Sequence, residues 1–279
     1  MIKIVADTTS TIPPEEAKQL GIGYLPQIII FGEQAYRDDF ELTTEEFLVK
    51  LRSASQLPKT AAPPPALYFP IFEELSKSGD SIIVVCPTSK LSGTYNSATE
   101  AALEFPDADI RIVDTKTIGP SLGTLVMKAL DWAKEGKTSD FIVEALTNLG
   151  MKNQIIFYVD TLEYLHKGGR IGAASALLGS LLEFKPILLF KDGQIMPFEK
   201  QRTKKKALEH LIELVTNKTL FPQISHLAIL EADAREDAIL LKSKLENEFG
   251  LNDIPIAKLP PAIVVHAGPG VVAVSLFVE

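Results

Sequence analysis

The chain has 279 residues, of which 46% are hydrophobic and 23% charged, and carries a net charge of −8. That balance suits a folded protein with a sizeable core and argues against disorder. It also argues against wrapping of nucleic acid, which needs a basic face.

A single cysteine, Cys86, forbids an internal disulfide and fits a reducing compartment. The first residues, MIKIVADTTS, lack the apolar stretch of a secretory signal. The apolar run at 171–190 is interrupted by Glu183, Lys185 and Pro186 and falls short of a spanning helix. A cytoplasmic protein is expected.

In chain order, Ile2–Ala6 reads as a strand, and Pro13, Pro14, Glu15 and Glu16 suit the first turn of a helix ending near Gly21. Tyr24–Phe31 reads as the next strand. Thr43 and Glu46 form a capping box for a helix to about Arg52. Pro63–Pro65 make 59–62 an extended loop before another helix. Strands at 81–86 and 110–113 then alternate with helices at 92–104, 121–135 and 139–150, the pattern of a parallel sheet with crossover helices.

Beyond residue 152 the pattern changes. A strand at 155–159 leads into a helical TLEYLHKGGR and a small-residue helix at 172–183. PILLFKDGQIMPFEK reads as a hairpin turning at Asp192-Gly193. Helices at 203–217 and 235–248 follow, with strands at 226–231, 255–259 and 271–278. The expected fold is α/β in two domains: 1–152 with a mostly parallel sheet and flanking helices, and 153–279 with a largely antiparallel sheet.

Four stretches carry candidate chemistry. In CPTSKLSGTYNSATEAALEF (86–105) a strand hands over to a helix through Thr88, Ser89, Ser92, Gly93 and Thr94. Ser92 can cap that helix or, with the open backbone of Gly93, face an anion at its N-terminus. In VVHAGPGVVAV (264–274), His266 precedes a tight turn and can serve as donor or base, or simply be satisfied there. In LHKGGRIGAASALLGSLL (165–182), Arg170 can hold a carboxylate or phosphate, and Ala173, Ala174, Ala176 and Gly179 allow either close packing or a tunnel. In EKQRTKKKALEH (199–210), Arg202 and Lys204–Lys206 form either a solvated face or a dock for an acidic partner. No phosphate loop, dinucleotide fingerprint or metal-ligand spacing is present. Ser92, Asp114 and His266 follow the chain order of an α/β-hydrolase triad, but the serine lacks the GxSxG elbow.

Taken together, ADTTSTIP, TSKLSGTYNSA, VDTKTIG, LEYLHKGGRIG, FKPIL, RTKKKAL and HAGPG resemble the DegV family of bacterial fatty-acid-binding proteins, from the first strand to the last. The resemblance implies a long-chain fatty acid in a buried tunnel between or near two α/β domains. It implies a carboxylate held by Thr60, Ser92, Gly93 and His266, an acyl chain lined by Ala173, Ala176 and Leu177, and no cofactor, metal or catalytic residue. Arg170 and Arg202 are implicated in work with a separate dihydroxyacetone-kinase-like (Dak-type) fatty acid kinase, which would make an acyl phosphate for phospholipid synthesis. Transient contact with a membrane surface fits helix 172–183. The family's usual TSQPS is here Thr60-Ala61-Ala62-Pro63-Pro64, which keeps the threonine and removes two polar side chains. Two other readings are an acyl-ester hydrolase using Ser92 and His266, and a lipid carrier or sensor without a kinase.

Overall fold

The computed structural model describes residues 1–77, 79–180 and 184–278. The chain begins with β1 (Ile2–Asp7), a 3-10 turn at Thr8–Ser10, α1 (Pro14–Gln19) and β2 (Gly23–Leu25). Next come β3 (Ile28–Phe31), β4 (Gln34–Arg37), α2 (Thr44–Ser53), β5 (Lys59–Ala61) and α3 (Pro65–Ser76). The alternation then settles into β6 (Ser81–Cys86), α4 (Thr94–Ala102), β7 (Ile110–Asp114), α5 (Pro120–Lys134) and α6 (Ser139–Gly150).

The later part holds β8 (Asn153–Tyr158), α7 (Glu163–Lys167), a 3-10 segment at Gly172–Ser180, β9 (Lys185–Lys191) and β10 (Gln194–Gln201). It ends with α8 (Lys204–Thr216), β11 (Ile224–Ala232), α9 (Arg235–Phe249), β12 (Ile256–Lys258), α10 (Pro261–Ala267) and β13 (Val271–Val278).

A four-stranded sheet of order β2-β1-β6-β7 is parallel throughout. Side chains alternate between its faces, as the strand period of two requires. Ile4, Ala6, Ile83 and Val85 pack with α5 and α6, while Val5, Ile82, Val84 and Cys86 pack with α3 and α4. A six-stranded sheet of order β10-β9-β8-β13-β11-β12 is antiparallel except for the β11–β12 pair. The fold is therefore mixed α/β, with one parallel and one largely antiparallel sheet. On the second sheet, Ile156, Tyr158, Ile187, Val272 and Val274 meet α8 and α9. On its opposite face, Ile155, Phe157, Phe190, Leu230 and Ala273 turn towards α2, α10 and Ile29 of β3. That second face positions the site.

Three local expectations need correction. Tyr24–Phe31 is not one strand, because Pro26 has no N–H to continue a ladder. β2 stays in the parallel sheet, and β3 leaves it to pair antiparallel with β4 and β5 in a third sheet. The extended loop at 59–62 is thus largely β5, with Thr60 opposite Ile29.

His266 lies in the last turn of α10. The β-branched run Ile263-Val264-Val265 favours a strand locally. Pro261 in the first turn and Gly268 after the last residue favour a helix. The segment after Gly172 is a 3-10 helix rather than an α-helix. Side chains three apart eclipse in such a helix, which alanines and serine tolerate. Its expected continuation over residues 181–183 lies outside the described residues. The Asp192-Gly193 turn is as expected, with φ of 52° and 78°, the doubly left-handed conformation of a tight hairpin.

Candidate functional site

Between the six-stranded sheet and the first half of the chain lies a cavity. It encloses about 920 Å³ of space free of protein atoms, the mouth included. Ile155, Phe157, Phe190, Leu230 and Ala273 form one apolar wall, and Leu91, Ile118, Leu259 and Ile263 contribute from loops and α10. Polar groups enter from few elements: Thr9 and Gln27, Thr60 on β5, Ser92 and Gly93 before α4, Arg170, and His266 on α10. A predominantly apolar chamber with a few placed polar groups is the usual form of a small-molecule site.

Thr60 Oγ1 and His266 Nε2 lie 2.8 Å apart in a hydrogen bond. β3–β5 pairing fixes the threonine, and α10 fixes the histidine. The Ala262 N–H in the first turn of α10 donates to Asp38 Oδ1 at 3.1 Å. Nδ1 of His266 is buried without a partner and faces Gly168, where a Cβ would collide with it. Burial first, then the charge of Arg170, push the imidazole down to about 4, so it is neutral near pH 7.

Arg170 is half-buried. Its Nε donates to the Leu91 carbonyl at 3.1 Å and its Nη1 to the Gly168 carbonyl at 2.7 Å. Burial lowers its pKa, and no carboxylate pairs with it among the described residues. It also borders an outer groove formed by the 54–60 loop, Lys167 and Val265, which shares Thr60 and His266 with the cavity.

α4 starts at Thr94 with Gly93 as its N-cap and no side-chain cap. Ser92 therefore precedes the N-cap position, and its hydroxyl meets Thr94 Oγ1 at 2.9 Å and accepts the Thr94 N–H, the first of the helix, at 3.3 Å. A Cβ on Gly93 would stand 3.6 Å from the Ala62 Cβ, so Gly93 and Ala62 face each other across the wall. A helix start whose N-cap is a glycine, two hydroxyls, a neutral imidazole and a guanidinium with no carboxylate partner among the described residues together suit an anion.

Thr60, Ser92, Gly93 and His266 thus meet at one cavity, and Arg170 joins them. Arg202 does not: it is exposed at the end of β10, outside both the cavity and the groove. Ala173 and Ala176 are exposed and stand outside the cavity wall. The three-residue period turns Ile171, Ala174 and Leu177 to the core instead, and Leu177 packs against the apolar cluster without lining the cavity. Asp114 is engaged by Ser89 and Lys116, and Nδ1 of His266 meets no carboxylate, so the hydrolase order does not assemble as a triad. Sequence reasoning missed Gln27. Its signal was one amide inside the apolar run Leu25–Phe31.

A family model described as "Uncharacterised protein, DegV family" matches residues 1–279. A DegV domain-containing protein of Halalkalibacterium halodurans is 33% identical over 279 residues, covering 100% of this chain and 99% of that protein. The solved structure of a DegV family protein from Thermus thermophilus, described for its fatty acid binding, superposes with a TM-score of 0.90 at 29% identity, covering 100% and 99% of the two chains. DegV of Bacillus subtilis, described as a fatty acid binding protein, gives 0.85 at 30% identity over 100% and 99%.

Proposed function

The chain belongs to the DegV family, and from that premise we propose that it binds one long-chain fatty acid in the cavity and presents its carboxylate to a separate kinase. One observation carries the reading. The apolar chamber gathers its hydroxyls, its neutral imidazole and a guanidinium without a carboxylate partner among the described residues around the Thr60–His266 pair, where the outer groove also begins.

Burial of each methylene is worth about 0.8 kcal/mol. An acyl chain of about sixteen carbons then offers on the order of 10 kcal/mol before ordering costs. Apolar contact supplies most of the affinity. Arg170, Thr60, Ser92 and the amides at the start of α4 fix which end of the ligand sits where. With His266 neutral, the guanidinium is the cation that meets the carboxylate.

The groove supports the carrier role, because it opens the carboxylate end to a partner. In this reading the partner is a Dak-type kinase that brings ATP and makes the acyl phosphate, in the cytoplasm, with exposed Arg202 on the docking surface. No helix among the described residues is long and apolar enough to cross a membrane. The test is a titration with hexadecanoate. Saturation at one equivalent, weakened in Ser92→Ala and Thr60→Val, supports binding. Acyl phosphate formed from ATP and hexadecanoate by this chain alone would remove the kinase from the account.

A further inference from the structure

Behind Ser92 runs a buried chain of polar groups. Asp7, at the end of β1, is 1% exposed. Its Oδ1 accepts the Thr9 N–H at 2.7 Å and the Thr9 hydroxyl, and its Oδ2 accepts Gln27 Nε2 at 2.8 Å. Gln27 Nε2 also donates to Thr94 Oγ1 at 2.9 Å. Thr94 Oγ1 stands 2.9 Å from Ser92 Oγ, which further accepts the Thr94 N–H at 3.3 Å. Gln27 and Thr94 are 4% and 2% exposed, so water does not compete.

Counting protons gives this chain a direction. An amide nitrogen has two hydrogens, and both are committed: one to Asp7, one to Thr94. The carboxylate therefore fixes which way the amide faces. Either hydroxyl of the Thr94–Ser92 pair can be the donor; in the direction taken below, Thr94 Oγ1, already accepting from the amide, passes its own proton to Ser92. Ser92 Oγ then accepts twice, and its single proton is left for the cavity that it lines. Burial pushes the carboxyl of Asp7 up, and the polar groups of Thr9, Thr94 and Gln27 act against that and favour its charged form.

We propose that Asp7 and Gln27 are positioning residues that act through Thr94 to make Ser92 a proton donor into the cavity, selecting a carboxylate over an uncharged head group. A chain pointing the other way would turn the lone pairs of Ser92 towards the anion. The proposal rests on the fatty-acid reading above and adds what discriminates the head group.

The experiment compares the affinities of hexadecanoate and 1-hexadecanol, which share the alkyl chain. They are measured on wild type, Gln27→Leu, Ser92→Ala and the double variant, with Thr94→Val as a second break in the chain. The expected result is a loss of about tenfold for hexadecanoate in Gln27→Leu and in Thr94→Val, against less than about threefold for hexadecanol. In the Ser92→Ala background, Gln27→Leu should add no further loss of selectivity, as coupling through one group requires. Equal losses for both ligands, or an undiminished effect of Gln27→Leu without Ser92, would overturn the positioning role. Failure of the wild type to bind hexadecanoate would overturn the fatty-acid reading itself, and the proposal with it.

Discussion

His266 Nε2 lies 2.8 Å from Thr60 Oγ1, two residues 206 positions apart in the chain, while the other nitrogen of the same ring is packed against Gly168 without a partner. One side of the imidazole is thus aimed at the cavity, and the other side is held by shape alone.

That packing makes Gly168 a sensitive position. An added Cβ would collide with Nδ1 and come within 2.9 Å of the Tyr164 carbonyl. Gly168→Ala is expected to cost about 1–3 kcal/mol through overpacking. It should also weaken hexadecanoate binding by displacing the ring. Thermal unfolding and a ligand titration on the same sample check both.

The buried ring also sets a pH dependence. His266 titrates at about 4 in the fold, against 6.5 as its ordinary value. Between these values the unfolded chain binds a proton that the folded chain does not, so stability rises with pH across that window. The ligand-free protein should lose on the order of 3 kcal/mol from this group as pH falls from 6.5 to about 4. Urea unfolding at pH 5 and pH 7.5 should show a smaller difference in His266→Asn than in wild type. Equal differences in the two proteins would refute the assignment.

Arg170 tests the charge. It has no carboxylate partner among the described residues and already spends two donors on the Leu91 and Gly168 carbonyls. Arg170→Ala should weaken hexadecanoate by roughly 10- to 100-fold, the range of a charged hydrogen bond. Arg170→Lys should recover only part of it, since an ammonium lacks the planar fork. Isothermal titration at fixed ionic strength distinguishes these outcomes.

Ala273 on β13 tests the chamber. It lies in the apolar wall. Ala273→Leu fills space that the alkyl chain would occupy, and the preferred chain should shorten. Competition between hexadecanoate and dodecanoate measures it, and an unchanged preference would place the alkyl chain elsewhere.

The sequence made different parts of this legible for different reasons. The Asp192-Gly193 hairpin was readable because its backbone needs positive φ at both positions, and that demand is local. The parallel sheet was readable from alternation. The meeting of Thr60 with His266 was not readable from local pattern. It depends on β3 leaving the parallel sheet at Pro26 and on a β-branched run becoming α10, both settled by tertiary pairing. Only the resemblance of motifs across the whole chain grouped those residues in advance. The outward facing of Ala173 and Ala176 was not readable, because small size does not reveal which way a residue faces, and a 3-10 period sets it.

The most direct measurement is to denature the purified protein, extract it with organic solvent and analyse the extract by mass spectrometry. The account predicts close to one equivalent of a long-chain fatty acid per chain. An empty extract, together with no binding when fatty acids are added, would contradict it.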